Sequence, residues 1–352
     1  MKLSLCLATY MRADYIGQTL DTILPQLTDD VELVILDGAS TDGTDEVVAR
    51  HARGHPRVRY IRAPVKSGFD ADYDNCVIAA RGEYCWLVAD DDLLVEGAVA
   101  KVLQLIAVDA PDLIVVDAEV RDRGLDNVLE ERRLPFVGER RYRRRDWDEV
   151  LADTGNALSF VGCTVIRRDI WLDRQREPYF GSWFVHVGVI FQAPLERVTA
   201  LGEALVVIRF GNANWSAKTF EIWMFKWPDL IWGFAELSAR AKAAVTPREP
   251  WRRPLRLLLY RANGAYDLDA YRRFFSGRRA GAHRVLLVAS ALVPGRLANL
   301  GAAALLAARG LGRTSGAYLL LACSPYANGL SRGAVRLLSS PAWLRGTGAG
   351  VS

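Results

Sequence analysis

Acidic residues are scarce in the C-terminal third of this 352-residue chain. Residues 240–352 carry 18 basic side chains and three acidic ones, a net charge of +15, whereas the whole chain carries only +4. The first 239 residues, with 27 basic and 38 acidic side chains, therefore carry −11. This asymmetry points to an anionic partner, either nucleic acid or a membrane. Because the basic region is rich in Leu, Ala and Val, it favours a helical membrane-surface segment over a nucleic-acid arm.

Cysteine pairs, a signal peptide and a long apolar span are also missing. The five cysteines contain no CxxC pair, which argues against a zinc knuckle or a disulfide framework and predicts reduced cytosolic thiols. The apolar start Leu3–Met11 runs into charged residues without a cleavage-like site. The longest uncharged stretch of the basic region, residues 314–331, contains Ser, Gly, Pro and Asn and does not read as a transmembrane span.

Two common nucleotide-binding motifs are absent. After the first apolar run the chain reads Ala8-Thr9-Tyr10-Met11-Arg12, with no glycine before Gly17, so the dinucleotide-binding GxGxxG pattern is missing. No GxxxxGK[ST] phosphate-binding loop occurs either. If the chain binds a nucleotide, we expect another mode of binding.

The first 120 residues alternate between strand and helix patterns. The strand-like runs are Leu3–Thr9, Val31–Leu36, Val58–Ile61, Tyr84–Val88 and Leu113–Val116. The helix-like segments between them are Asp14–Leu27, Asp42–Ala52, Asp72–Ala80 and Gly97–Ile106. This alternation predicts an α/β domain with a parallel sheet, whose ligands bind at the carboxyl ends of the strands.

Three consecutive carboxylates, Asp90-Asp91-Asp92, follow the apolar strand Tyr84–Val88. Three adjacent carboxylates repel one another, and a hard divalent cation such as Mg²⁺ or Mn²⁺ would relieve that repulsion. The alternative is an acidic N-cap and first turn for a helix beginning near Leu93. A second acid, Asp37, ends the strand Val31–Leu36, where it can accept hydrogen bonds from a ribose or a base or simply shape the following turn.

These motifs together carry a family resemblance. Their order and spacing resemble family-2 glycosyltransferases of the GT-A fold, closely over residues 1–120 and loosely over 121–215. The segments Gly68–Asp74 and Tyr84–Leu87 are similar to the abequosyltransferase-like subset, which builds bacterial O-antigen and related surface glycans. The motifs are Leu5–Arg12, Val34–Thr44, Ala80–Tyr84 and Asp90–Asp92.

The resemblance implies a role for each matching residue. Thr9, Tyr10 and Arg12 would lie near the base and ribose of a nucleotide-sugar, and Asp37 would bind the base edge. Asp90 would face the ribose or sugar, and Asp92 would hold the Mg²⁺ or Mn²⁺ ion on the diphosphate. The same nucleotide-sugar site would include Ala39, Gly68, Asp70 and Asp91. Two departures concern the donor: Met11 stands where the family usually has Asn, and Tyr73-Asp74 where it usually has Arg-Asn.

The general base has no acidic candidate at the expected place. Inverting enzymes of this family usually carry a Glu-Asp pair about a hundred residues past the metal motif, and here residues 181–188 contain only His186 as a titratable group. A histidine can deprotonate a hydroxyl at neutral pH, so we predict His186 as the catalytic base. The alternatives are a metal ligand or a hydrogen-bonded structural histidine, and rival bases are Glu119, Asp117 and Asp72.

Three further segments have both a structural and a functional interpretation. The aromatic residues from Trp215 to Phe234 predict a packed helix or a platform for an acceptor, with Asn212, Asn214 and Trp215 as a possible acceptor site. The arginines between Arg132 and Arg145 predict a solvated loop or an anion-binding surface. In residues 281–352, arginines bracket apolar runs, which predicts either a packed helical subdomain or shallow insertion into a membrane.

We therefore expect a GT-A domain over residues 1–215, an aromatic helical linker over 216–280 and a basic amphipathic helical tail over 281–352. The expected function is metal-dependent transfer of a hexose or deoxyhexose from a nucleotide-sugar to a polyprenyl-linked glycan. The enzyme would lie peripherally on the cytoplasmic face of the inner membrane, bound to anionic lipid through its tail and not to nucleic acid. The alternative is an inactive membrane-associated scaffold that binds nucleotide-sugars. A sugar-phosphate nucleotidyltransferase is disfavoured because the first strand lacks a glycine-rich basic loop.

Overall fold

The computed structural model describes residues 1–212, 218–277, 281, 283–308 and 320–338. The chain forms two compact units. The first unit comprises Met1–Val120, Glu131–Arg209 and Asp229–Pro247. The second comprises Arg121–Glu130, Phe210–Pro228 and Arg248–Ser352. These units do not coincide with the predicted boundaries at residues 215 and 280, because residues 229–247 return to the first unit.

The first unit is built on a mixed β-sheet. Its strands are β1 (Leu3–Thr9), β2 (Val31–Asp37), β3 (Val58–Arg62), β4 (Tyr84–Val88), β5 (Leu93–Leu94), β6 (Leu113–Arg121), β8 (Gly138–Arg143), β9 (Thr164–Arg167) and β10 (Arg197–Arg209), while β7 (Val128–Glu130) falls in the second unit. The order across the sheet is β3-β2-β1-β4-β9-β6-β10-β5, and β8 pairs with β10.

The parallel half of the sheet is the half that the sequence predicts. β1 pairs in parallel with β2 and with β4, and β2 pairs in parallel with β3. Every residue of β2 and β4 is buried, as expected for strands covered on both faces. In register, Leu3 lies beside both Val31 and Tyr84, so the carboxyl ends of three strands meet at one edge. The antiparallel pairings of β9 with β4 and β6, and of β10 with β5 and β8, make the sheet mixed.

The helices of the first unit cover this sheet. They are α1 (Ile16–Ile23), α2 (Thr44–Ala52), α3 (Phe69–Ala79), α4 (Ala98–Asp109), α5 (Trp147–Thr154), α6 (Arg168–Asp173), α7 (Val185–Phe191) and α10 (Ala239–Val245), with α9 (Trp227–Gly233) beginning at the end of the second unit's segment. The predicted apolar stripe of α1 is buried at Ile16, Thr19, Leu20 and Ile23. The predicted elements are therefore present, although α1 and α2 each start two residues later than expected and α3 starts three residues earlier.

The second unit is helical. Its helices are α8 (Thr219–Glu221), α11 (Pro254–Asn263), α12 (Leu268–Phe275), α13 (His283–Leu292), α14 (Gly295–Ala308) and α15 (Gly329–Leu338), and a π-helical segment spans Ile222–Lys226. Part of the predicted aromatic segment forms its core. The ring of Phe220 stacks on Tyr266 with centroids 4.8 Å apart, and Phe225 stacks on Phe274 at 5.3 Å. These rings are packing residues, as the structural interpretation predicts, but their partners are helices of the second unit.

The arginines of β8 and its flanks lie on a solvated edge. Arg140 pairs with Asp153 at 2.8 Å and Arg144 with Glu196 at 2.9 Å, and both arginine side chains are at least half exposed. Exposed pairs of this kind contribute little to stability. The structural interpretation, a solvated charged edge, fits these residues.

A buried polar cluster at the amino edge of the sheet leaves no room for a side chain at Gly82. The Ser4 hydroxyl donates to Glu32 Oε1 at 2.7 Å and accepts from the Gly82 amide at 2.8 Å. A Cβ on Gly82 would lie 2.6 Å from Ser4 N and 2.8 Å from the carbonyl carbon of Leu3. Both are backbone atoms, which cannot move aside without disturbing β1.

We therefore predict that Gly82→Ala lowers the free energy of unfolding by about 2 kcal/mol, the usual cost of overpacking a core. Urea denaturation followed by circular dichroism measures the change. The control is Gly233→Ala, where no described atom lies within 4 Å of the new Cβ. Equal stability of Gly82→Ala and wild type would show that the amino edge tolerates the methyl group.

Candidate active site

The predicted site residues converge at the carboxyl edge of the parallel strands. Thr9 ends β1, Asp37 ends β2, and Asp90-Asp91-Asp92 connects β4 to β5. Gly68 and Asp70 lie at the start of α3, which follows β3 and runs back toward the amino edge, so they belong to the same edge. The chain thus brings together acids and loops that are up to 80 residues apart in sequence.

The acidic triplet does not cap a helix. Leu93 and Leu94, directly after it, form the short strand β5 paired with Val206 and Val207 of β10. The following helix α4 begins only at Ala98. The N-cap interpretation is therefore wrong, and the crowding of three carboxylates needs another explanation.

Two arginines stabilise the triplet. Arg12 Nε lies 3.3 Å from Asp90 Oδ1, and its Nη2 lies 3.3 Å from Asp91 Oδ2. Arg209, the last residue of β10, donates its backbone N–H to Asp92 Oδ1 at 3.0 Å and its Nε–H to the Asp91 carbonyl at 3.1 Å. Both guanidinium groups lie near the ring of Tyr15, at 5.8 Å and 5.3 Å from its centroid. The carboxylates of the triplet and the guanidinium groups of Arg12 and Arg209 therefore lie close together at this edge of the sheet.

Arg209 is a residue that the sequence reasoning missed. It is 7% exposed, and Nη2 donates to Gln18 Oε1 at 2.5 Å. Its contact with Asp92 spans 117 positions of sequence. The available signal was an arginine ending a long apolar strand, since Arg is rarely buried without a partner.

Burial raises the pKa values of two carboxyl groups of the triplet. Desolvation and the neighbouring Asp91 raise the pKa of Asp90 to about 7, although Arg12 opposes the shift. The pKa of Asp92 is raised well above its ordinary value, first by burial and then by Asp91, against the hydrogen bond from the Arg209 amide. The two arginines therefore offset only part of the repulsion.

The loop after β1 is fixed by the loop after β2. Three successive amides of the first loop, those of Met11, Arg12 and Ala13, donate to side chains of the second. Their acceptors are Ser40 Oγ at 2.9 Å, Thr44 Oγ1 at 3.0 Å and Asp42 Oδ2 at 3.1 Å. Met11 adopts a left-handed φ of 57°, which is uncommon for a residue other than glycine. These bonds hold Arg12 where its guanidinium meets the triplet.

Asp37 is fully buried and has partners within the chain. Oδ1 accepts from the Ser40 amide at 2.8 Å, and Oδ2 accepts from the Tyr60 hydroxyl at 2.5 Å. Together with the left-handed Ala39, whose φ is 68°, these bonds shape the turn that follows β2. In this conformation Asp37 is a turn residue, and its contact with a base stays a prediction.

Asp70 acts as an anchor for a distant loop. Oδ2 accepts from the amides of Gly181 at 2.8 Å and Trp183 at 2.9 Å, and Oδ1 accepts from the Val185 amide at 2.9 Å. Its side chain is 4% exposed, and a carboxylate that accepts three N–H bonds is well satisfied. In this conformation Asp70 holds the loop before α7, and its contact with a nucleotide-sugar stays a prediction. Gly68 precedes it with a φ of 104°, which only glycine adopts readily.

Tyr10 and Asp72 lie near the same loops. Lys66 Nζ stands 3.4 Å from the centroid of the Tyr10 ring. Asp72 is buried, accepts a hydrogen bond from Ser67, and its pKa is raised by desolvation. Its Oδ2 would lie 3.1 Å from a Cβ on Gly38, so a larger residue at that turn would crowd it.

His186 lies inside the protein core. The side chain is 1% exposed, Nε2 lies 2.8 Å from the Leu158 carbonyl, and Nδ1 has no hydrogen-bond partner among the described residues. Burial lowers the pKa of the ring to about 4. Every residue of α7 is buried. This geometry fits the structural alternative better than the catalytic one, because an acceptor sugar has no access to a core side chain.

Two of the rival bases differ in accessibility. Asp117 is 1% exposed, and its Oδ1 accepts from the amides of Ala118, Arg133 and Leu134. Glu119 is half-buried near the end of β6. Since β6 is antiparallel to β9, which is antiparallel to β4, β6 runs parallel to β4 and Glu119 lies toward the carboxyl edge.

The possible acceptor residues give little information. Asn212 belongs to the second unit, and Asn214 and Trp215 lie outside the described residues. The acceptor site stays a prediction.

The donor set of the triplet suits a hard divalent cation. Among the described residues there is no group of three or more His, Cys, Asp or Glu side chains that would form a complete metal site. Mg²⁺ requires less, since it usually takes one or two carboxylates together with substrate phosphates and water. Burial and the neighbouring Asp91 raise the pKa values of Asp90 and Asp92, so the chain alone disfavours their ionised forms, which a bound cation would favour.

These shifts predict a pH dependence of stability in the absence of metal. Folded Asp90 keeps its proton up to about pH 7, whereas the unfolded residue releases it near 3.8. Between these values the folded state binds more protons, so stability rises as the pH falls from 8 to 5. We expect Asp90→Asn to remove of the order of 1–2 kcal/mol of this dependence.

Thermal and urea unfolding at pH 5.5 and 8.0 in EDTA measure the effect. Asp30→Asn, an exposed substitution ahead of β2 at the amino edge, serves as the control and should keep the wild-type profile. Mg²⁺ should stabilise the wild type more at pH 8.0 than at 5.5. If stability depended on pH identically in Asp90→Asn and wild type, the raised pKa of Asp90 would be contradicted.

The sequence is similar to that of known glycosyltransferases. Residues 4–170 match the family model for glycosyl transferase family 2. The chain is 27% identical over 238 residues to the abequosyltransferase RfbV of Salmonella typhimurium, an alignment that covers 62% of this chain and 69% of that protein. It is also 29% identical over 104 residues to the GalNAc(5)-diNAcBac-PP-undecaprenol beta-1,3-glucosyltransferase of Campylobacter jejuni, covering 29% of this chain and 34% of that protein.

A solved structure shares the fold. S. aureus TarS 1–349 superposes with a TM-score of 0.52 at 12% identity, covering 98% of this chain and 92% of that one. The same TarS fragment has been solved with UDP, with a TM-score of 0.53 at 13% identity over 92% of this chain and 91% of that one. At this identity the likeness concerns the fold alone.

Proposed function

Because residues 4–170 match the family model for glycosyl transferase family 2, we propose that the protein transfers a sugar from a nucleotide-sugar to a glycan acceptor in bacterial surface-polysaccharide synthesis. The observation that carries the proposal is the buried Asp90-Asp91-Asp92 triplet with its two arginines, located at the carboxyl edge of the parallel strands. That edge is where α/β sheets bind their ligands. The likeness to the Salmonella abequosyltransferase supports a hexosyl or deoxyhexosyl donor.

The donor would bind with its diphosphate toward the triplet. Asp92 would hold a Mg²⁺ or Mn²⁺ ion, which, when bound, neutralises charge on the departing nucleoside diphosphate, and Asp90 would face the ribose or sugar. Arg12 and Arg209 supply positive charge at the same place, and as fixed donors they need no reorganisation during the reaction. Thr9 and Tyr10 would contact the nucleoside, with Asp37 and Ala39 shaping that side of the site. The buried surroundings exclude water and so strengthen these electrostatic interactions.

Direct displacement at the sugar also needs a base for the acceptor hydroxyl. Of the four candidates, three are almost fully buried: Asp72, Asp117 and His186. We assign the base to Glu119, because it alone combines partial exposure with a position toward the carboxyl edge. His186 is then a structural residue of α7.

Two substitutions separate the roles of Glu119 and His186. We expect Glu119→Gln to lower turnover by about 10²–10⁴-fold, the usual effect of removing a general base, with nucleotide binding unchanged. We expect His186→Phe to lower the free energy of unfolding by about 1 kcal/mol through loss of its hydrogen bond, with turnover within a few fold. Single-turnover kinetics and urea denaturation measure both. Full turnover in Glu119→Gln, or loss of turnover in a stably folded His186→Phe, would reverse the assignment.

The acceptor would be a polyprenyl-linked glycan at the cytoplasmic face of the inner membrane, where the enzyme would lie peripherally. The Campylobacter relative is named for an acceptor linked to PP-undecaprenol, and the +15 charge of residues 240–352 suits an anionic membrane. The alternative is an inactive scaffold that binds nucleotide-sugars at the same place.

A donor screen tests the proposed function. UDP-, GDP-, CDP- and dTDP-sugars are incubated with the full chain, with and without Mg²⁺ or Mn²⁺, and both binding and slow hydrolysis are measured. We expect one donor to bind in a metal-dependent way, and Asp92→Asn to weaken that binding at least tenfold, since it removes a charged metal ligand. Asp30→Asn at the amino edge is the matched control. Metal-dependent binding without transfer to any acceptor would favour the scaffold, and no binding at all would overturn the proposal.

A further inference from the structure

Helix α14 of the second unit is apolar on two opposite faces. One face is packed in a core with α11 and contains Ala298, Ala302, Ala303 and Leu306. The opposite face is open to solvent: Leu297 is 62% exposed, Leu300 is 46% exposed, and Gly301 and Ala304 continue the same stripe. A helix that is apolar all round is normally covered on all sides.

The uncharged polar residue of this helix, Asn299, is turned inward and hydrogen-bonded. Asn299 is completely buried, and its Nδ2 donates to the carbonyls of Ala262 and Leu321 and to Ser324 Oγ at 3.0–3.1 Å. Its Oδ1 accepts from Asn328 Nδ2 at 2.6 Å. Beyond Arg296 in its first turn, the solvent-facing side of α14 is therefore apolar, which is unusual for a helix face that meets only water.

Helix α13 repeats this pattern. Val285 is 76% exposed and Leu292 is 59% exposed, and Ala289 lies between them on the same face. Its buried residues are Leu287, Ser290 and Ala291. Both helices thus present large aliphatic groups to solvent. We call the exposed residues Val285, Ala289, Leu292, Leu297, Leu300, Gly301 and Ala304 the aliphatic edge.

The charged side chains that α13 and α14 themselves carry are basic. No acidic residue occurs anywhere from residue 270 to residue 352. Arg284 and Arg296 stand at the first turns of α13 and α14, and Arg332 of α15 is exposed. An arginine beside an apolar surface can extend its charged end toward lipid phosphates while its stem stays in contact with the apolar groups.

The geometry of the pair suits insertion at the surface of a bilayer. Taken singly, the described helices are too short or too polar to cross a membrane. α13 and α14 together have sufficient length and apolarity, but the chain turns by 102° between them. A bent pair of this kind matches an interfacial element, which buries one apolar face about 5–10 Å deep.

We propose that the aliphatic edge of α13 and α14 inserts into the interface of an anionic lipid bilayer, with Arg284, Arg296 and Arg332 on the phosphates. This inference rests on the proposed function, which includes a membrane-embedded acceptor. A second copy of the chain is the other possible occupant of an apolar surface. It is disfavoured because two such edges would bring uncompensated arginines together.

Vesicle flotation tests the proposal with the full chain. We expect binding to vesicles of phosphatidylcholine with 30 mol% phosphatidylglycerol, and much weaker binding to phosphatidylcholine alone. Leu297→Ser with Leu300→Ser should weaken binding to the anionic vesicles by roughly tenfold or more, because two aliphatic groups no longer enter the interface. Arg296→Gln with Arg332→Gln should weaken it by a similar factor at low salt and less at high salt.

The matched control uses equally exposed aliphatic residues of the first unit. Val65 is 70% exposed and Val108 is 64% exposed, so Val65→Ser with Val108→Ser changes a comparable surface elsewhere. We expect this variant to bind vesicles like the wild type. Equal loss in the control, or wild-type binding by the Leu297/Leu300 variant, would overturn the proposal. So would a dimer in solution that dissociates on the Leu297 and Leu300 changes, since it would assign the edge to a second copy.

Failure of this proposal is distinguishable from failure of the proposed function. Nucleotide-sugar binding in solution should be unchanged in the Leu297/Leu300 variant, because none of the edge residues belongs to the active site. Intact donor binding without vesicle binding would reject the lipid surface alone. Vesicle binding without any donor binding would reject the glycosyltransferase activity alone.

Discussion

The repulsion among Asp90, Asp91 and Asp92 is the constraint on which the rest of the active site depends. Three carboxylates in a buried connection are tolerable only if cations face them. Arg12 meets that need from the loop after β1, and its amide is held by Thr44 of the neighbouring loop. Arg209 meets it from the end of β10. The conformations of two loops and the end of a long antiparallel strand are thus tied to the charge of one tripeptide.

The sequence was sufficient for the parallel half of the sheet, because each strand there is a separate apolar run followed by a helix pattern. It was insufficient for the antiparallel half. β5 has two residues and β9 has four, too few for a periodic signal, and their partners lie far away in the chain. The long sequence separation between partners also explains which residues of the site could be predicted. The triplet is a local motif and was found, whereas Arg209 reaches it across 117 positions and was not.

The acids of this edge separate into two kinds by what they accept. Asp70 and Asp117 each accept three backbone N–H bonds, and Asp37 accepts an amide and a phenol hydroxyl. Such carboxylates hold loops in place. Asp90 and Asp92 instead face Arg12, Arg209 and the neighbouring Asp91, and burial together with Asp91 raises their pKa values. Sequence spacing does not distinguish the two kinds, because both occur after strands or at helix starts, and only the hydrogen bonds reveal the difference.

The overall charge of +4 is the sum of a negative and a positive part, because a cation site and an anionic bilayer require opposite surface charges. A site that takes a divalent cation needs local negative charge, and that charge would repel an anionic bilayer. The Asp90–Asp92 triplet lies in the first unit, whereas residues 270–352 carry 11 arginines and no acid, so the two demands are separated along the chain. Because the basic segment and the catalytic unit are parts of one chain, anchoring the segment lowers the affinity that the active site itself needs for its acceptor. With residues 270–352 bound to lipid as proposed, the catalytic unit would meet a membrane-embedded acceptor at a raised effective concentration. The active site can then bind that acceptor weakly and still act on it.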